Sequence, residues 1–140
     1  MKRAATLGRI HRVRTLQLGL ARAEEMRQHE ALAGEFELNR RIAGLVEAVA
    51  PSAEAFGLRD LQARAHYREK LHQSALAAEA RVQHARQRAD AATEASRAAE
   101  RDQSAVEKLI DRARRDAAMA EMRALQNAPA PSRPNRHDPC

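Results

Sequence analysis

Aromatic residues are nearly missing from this chain: Phe36, Phe56 and Tyr67 are its rings, and tryptophan is absent. A globular core in a chain of 140 residues draws on several large side chains to offset the entropy of ordering the backbone. Such a core cannot be assembled from what is here. Cysteine is scarce as well. With Cys140 alone, no intramolecular disulfide can form, and a reducing compartment is the simplest setting. Long apolar runs are also missing. The opening segment MKRAATLGRIHRVRTLQLGLARA begins with the positive charge of a signal peptide, but Arg or His interrupts it repeatedly. It is therefore expected to stay with the protein and to cross no membrane. The glycines at 8, 19, 34, 44 and 57 never cluster into a phosphate-cradling loop, and no GxSxG nucleophile elbow occurs.

What remains is alanine, arginine, glutamate, leucine and glutamine, all strong helix formers. Two breaks divide them. The first is Ala50-Pro51-Ser52-Ala53-Glu54-Ala55-Phe56-Gly57, and the second is a proline-rich tail from about Asn127. Proline inside a helix costs about 3 kcal/mol, so both breaks should hold. The expected architecture is all-α: a long two-helix antiparallel coiled-coil hairpin over residues 1–126, with helices over about 4–50 and 58–126 and a turn at about 51–57. A disordered tail is expected over 127–140. Gly57 is expected to help the chain reverse.

The second segment carries the clearest pattern. Alternate steps of four and three from Leu71 visit Ala75, Ala78, Val82, Ala85 and Ala89, then continue to Ala124, and fourteen of the sixteen positions are apolar. A 3.5-residue repeat sustained that long holds one seam towards a partner helix and predicts left-handed supercoiling. Alanine allows close approach but buries little area, so stability per heptad is low. The first segment shows a weaker stripe through Leu7, Ile10, Val13, Leu20, Ala31, Leu38, Ile42, Leu45 and Val49, with Glu24, Gln28 and Glu35 on the same side. The best packing is expected at the hairpin tip, where Leu38, Ile42, Leu45 and Val49 would face Leu58, Leu61 and Ala65. The longer second helix should overhang the start of the first by about twenty residues, roughly 30 Å.

Charge is uneven. The net charge is +6, and Lys2, Arg3, Arg9, Arg12, Arg14 and Arg22 lie in a stretch that holds no acidic residue. Beyond it, basic and acidic residues alternate nearly one for one, as on a solvated helix face, so an acidic partner is to be sought at the basic arm. A second basic patch, DRARRDAAMAEMR, holds Arg112, Arg114 and Arg115 beside Met119 and Met122, flexible side chains suited either to adaptable contacts or to helix packing. The six histidines have neither HExxH spacing nor a third ligand placed to complete a metal site. Cys140 lies in the tail, where a lowered thiol pKa is hard to maintain. No catalytic, cofactor-binding or metal-binding residue is therefore assigned, no small-molecule substrate is expected, and the chain is read as non-enzymatic.

RIHRVRTLQ opening a helix, a hairpin in the first half, and a longer second helix ending in EKLIDRARRDAAMAEMRAL together resemble the flagellar FliJ family and its YscO-type counterparts in type III secretion. The resemblance covers about residues 5–126. It implies a cytoplasmic rod, peripherally associated with the inner membrane, that works like the central stalk of a rotary ATPase. The implied partners are a FliI-like hexameric export ATPase, an FlhA-like export-gate platform protein, and export chaperones. For the ATPase ring, the residues singled out are Arg9, Arg12 and Arg14 with Arg112, Arg114 and Arg115. For the export gate they are Tyr67 and Leu71, an aromatic followed four residues later by leucine; Ser74 and Ala78 beyond them depart from the family pattern. The rival reading, supported by the arginine-rich start, is a basic coiled-coil protein that binds nucleic acid.

Overall fold

The structure, a computed structural model, describes residues 2–49 and 57–129. Two α-helices make up the described fold, α1 (Lys2–Ala48) and α2 (Leu58–Gln126), of 47 and 69 residues. Neither contains proline, and the glycines of α1 lie within an otherwise strongly helix-forming sequence. At 1.5 Å per residue the helices are roughly 70 and 100 Å long. The expected turn at 51–56 and the tail beyond 129 lie outside the described residues. α2 ends where the Asn127 N–H donates to the Arg123 carbonyl and Ala128 to Leu125, a turn that satisfies two of the last free acceptors.

The two helices run antiparallel and pack on each other along most of α1. Side chains that bridge them set the register. His11 pairs with Glu107, Arg14 with Asp102, Arg22 with Glu100, His29 with Thr93, and Arg81 with Glu35. Moving forward on α1 always moves backward on α2, which defines the hairpin.

On α2, the seam read from the sequence is the seam that is buried. Ala78, Val82, Ala85, Ala89, Ala92, Ser96 and Val106 are its buried residues, and Leu71, Ala75, Ala99, Gln103, Ile110 and Ala113 flank them half-buried. Ala85 and Ala89 have no exposed surface, because alanine in the seam lets the α1 backbone close over it.

The seam of α1 differs from the apolar stripe expected from the sequence. Its inward positions are Leu7, His11, Arg14, Leu18, Ala21, Glu25, Gln28, Leu32, Glu35, Asn39, Ile42 and Val49, all buried or half-buried. Leu18 is the buried aliphatic residue among them. Of the expected stripe only Leu7, Ile42 and Val49 face α2; Ile10, Val13, Leu20, Leu38 and Leu45 are 40–72% exposed. The physical reason is that charged and amide side chains on α1 lay their aliphatic stems over the alanines and reach the opposite helix with their heads.

Two further expectations are corrected. Leu58 and Leu61 are 74% and 52% exposed, and every residue from 57 to 70 is exposed, so they do not form a packed tip with Ile42 and Val49. Seam positions before Leu71 fall on Arg68 and Arg64, and the register set by the interhelical pairs brings the end of α1 opposite about residue 70, so the zipper stops there. The extra length of α2 is accordingly shared between both ends. About a dozen residues project beyond the end of α1, and about nine project past its start, in place of one roughly 30 Å overhang. Gly57 occupies the N-cap of α2 in extended backbone with φ −66°, a conformation open to any residue, and the reversal it was expected to aid lies outside the described residues.

Candidate functional site

The pairs that link the helices flank the alanine seam on both sides, and most of them form a polar layer along one of the two. His11 Nε2 donates to Glu107 Oε1 at 3.1 Å, Gln103 Nε2 to Thr15 Oγ1 at 3.1 Å, and Arg22 Nη2 to Glu100 Oε1 at 3.3 Å. Along the same side His29 and Thr93 meet at 3.1 Å, and the Arg86 guanidinium lies 5.6 Å from the centre of the Phe36 ring. Glu25, itself on the seam, accepts from the Ser96 and Thr93 hydroxyls, which hold its carboxyl below the ordinary value of 4.5 although desolvation pushes the other way. Glu24 is lowered likewise by hydrogen bonds from Gln28 and Arg27 and by the Arg27 charge. Among the described residues no buried side-chain nitrogen or oxygen is left without a partner.

The six arginines singled out from the sequence gather at one end of the rod, where α1 begins and α2 draws to its close. Arg9 and Arg12 are exposed. Arg14 is half-buried on the seam, its Nη1 3.0 Å from both Asp102 Oδ2 and Gln17 Oε1, so its charge is already engaged inside the hairpin. Arg114 lies 3.9 Å from Asp111, and Arg115 Nε donates to the Asp111 carbonyl at 3.3 Å. Arg112 and Arg3 border a shallow groove of about 440 Å³ floored by Ala4, Leu7, Leu109 and Ala113. A neighbouring groove of about 380 Å³ lies between Leu7, Gly8 and His11 on one side and Ile110, Ala113 and Arg114 on the other. Arg3 was not among the residues singled out, although it belongs to the same acid-free stretch as Arg9, Arg12 and Arg14.

Tyr67 and Leu71 occupy the other end, roughly 70 Å away along α2. Tyr67 is 50% exposed, on the part of α2 that α1 does not cover. Leu71 is half-buried as the first residue of the seam, so the two sit one helical turn apart at the boundary between single and paired helix.

The sequence reasoning missed the interhelical pairs, notably His11, Asp102 and Glu107. Apolar periodicity cannot find them; the signal that could is charge complementarity between the segments once an antiparallel register is assumed. Among the described residues no group of His, Cys, Asp or Glu is arranged to hold a metal ion. No described helix is long and apolar enough to cross a membrane.

Fold and surface together define an antiparallel two-helix coiled coil with a basic end and a single-helix end. No family model, curated protein or solved structure matches the chain.

Proposed function

We propose that this chain is a non-enzymatic stalk and adaptor of a type III or flagellar protein-export apparatus, as its resemblance to the FliJ and YscO-type proteins implies. The basic end would enter the ring of a hexameric export ATPase and promote its assembly and activity. The far end, with Tyr67 and Leu71, would reach the export-gate platform protein. The observation that carries this reading is the separation of two different ends by a rod roughly 100 Å long. A shaft needs length, polar contacts exchangeable among equivalent subunits, and chemistry at its ends. Arg9, Arg12 and Arg112 are exposed there, whereas Arg14 is occupied by Asp102 and is the weakest of the six as a ring contact.

The test is to add the purified chain to a purified hexameric export ATPase from the same organism and follow ATP hydrolysis and hexamer formation. Both should rise, and charge reversal at Arg9, Arg12 and Arg112 together should remove most of the rise while far-ultraviolet circular dichroism stays helical. No effect on the ATPase would reject the stalk reading. The acid-free start favours a second reading, a nucleic-acid-binding coiled coil. Duplex DNA binding whose log affinity falls steeply and linearly with log salt, without ATPase stimulation, would select it.

A further inference from the structure

The apolar stripe of α1 that does not face α2 lies on one broad side of the hairpin. Ile10, Val13, Gln17 and Leu20 follow the four-and-three spacing one position behind the seam, and so do Ala91, Ala95, Ala98, Asp102, Ala105 and Leu109 on α2. In an antiparallel pair these two rows flank the seam on the same side. The structure makes the link directly, because the Arg14 guanidinium bonds both Gln17 and Asp102 at 3.0 Å. The polar layer of His11–Glu107, Arg22–Glu100 and His29–Thr93 occupies the opposite side.

This side is apolar and uncovered. Ile10 is 40% exposed, Val13 52%, Leu20 72% and Leu109 48%, and the alanines between them are exposed. Its charges are cancelled within the chain, since Glu24 pairs with Arg27 and Asp102 with Arg14. The same row on α2 reaches Arg88, His84 and Arg81 at one end and Arg112, near the exposed Arg9 of α1, at the other, and these bound the patch. The patch is about 30 Å long and about 20 Å wide, so two copies apposed would remove roughly 1,200 Å² from water, the lower end of a stable specific interface.

We propose that this face is a self-association surface, on which a second copy of the chain docks back to back to form a four-helix bundle. Area decides the occupant: a two-fold contact brings each patch against itself at the size a stable dimer needs, and it leaves the basic residues at the rim, where the net charge of +6 per chain opposes the contact least. The alanine row of α2 lets the copies approach closely, and Ile10, Val13, Leu20 and Leu109 supply the area. The proposal goes beyond the stalk reading and is independent of it, since its test needs no ATPase.

The experiment is sedimentation equilibrium of the full chain from about 1 to 100 µM, in reductant because Cys140 could otherwise link two chains. The expected species has twice the 15.6 kDa chain mass. The double variant Leu20→Glu with Ala98→Glu should weaken association at least roughly 30-fold, since carboxylates would be forced unpaired into an apolar contact. Both positions are exposed in the hairpin, so circular dichroism of the variant should match the parent. Leu125→Glu, on the stretch of α2 that projects past the start of α1 and 77% exposed, should leave the dimer intact. A parent that stays monomeric across the range would overturn the proposal. So would a dimer that survives the double variant, or one dissolved by Leu125→Glu alone.

Discussion

Glu25 stands where a coiled coil ordinarily places an aliphatic side chain, and it is held there by hydroxyls from the opposite helix. The Ser96 and Thr93 donors lower its carboxyl relative to the unfolded chain. A carboxyl lowered by folding stabilises the fold above its unfolded value, and that contribution is lost as pH falls through the folded value. The hairpin should therefore melt at progressively lower temperature as pH drops below about 4.5. Glu25→Gln should flatten that slope and differ little from the parent in slope above pH 6. Melts followed by circular dichroism between pH 3 and pH 7 check this. An unchanged acid slope in the variant would mean that the Ser96 and Thr93 contacts contribute nothing to stability.

Within the helices, the two seams were legible to very different degrees, for a physical reason. The α2 seam is mostly alanine, valine and isoleucine at a steady 3.5-residue period, and every buried residue of α2, Ser96 included, falls on it. The α1 seam is half polar, with His11, Arg14, Glu25, Gln28, Glu35 and Asn39 turned inward, while leucines one step away stay exposed. A search for apolar period finds the neighbouring stripe, which is real periodicity belonging to an outer face. Helix bounds were legible from Pro51 and the proline-rich tail, but the register was not, because it is set by pairs such as Arg81–Glu35 at 3.2 Å whose partners are far apart in sequence. The alanine seam makes its own prediction. Ala89 has no exposed surface, so Ala89→Leu must push the helices apart and should cost about 1–3 kcal/mol in urea titrations. Ala80→Leu, at an exposed position of the same helix, should stay within about 0.5 kcal/mol of the parent.

Taken whole, the molecule is a rod whose length follows from α2 alone. Small-angle scattering should give a maximum dimension of at least about 100 Å. A value near that of a compact particle of the same mass would contradict the fold. The candidate site was legible in part. Arg9, Arg12 and Arg14 were marked out by the acid-free stretch and Arg112, Arg114 and Arg115 by the second basic patch, the two groups come together at one end, and Tyr67 and Leu71 sit at the other. That Arg14 is consumed by Asp102 could not be read without the register.

Because α2 extends past α1 in both directions, a load applied between the tips runs through one unbroken spiral of backbone hydrogen bonds and never has to cross the contact with α1. Tugging instead at one end of the rod, on Lys2 and on Gln126 beyond it, would peel the two apart one rung at a time. The same object is thus tough when stretched lengthwise and easily unzipped from its open side, a directional mechanics that optical-tweezer handles at those two pairs of points would distinguish.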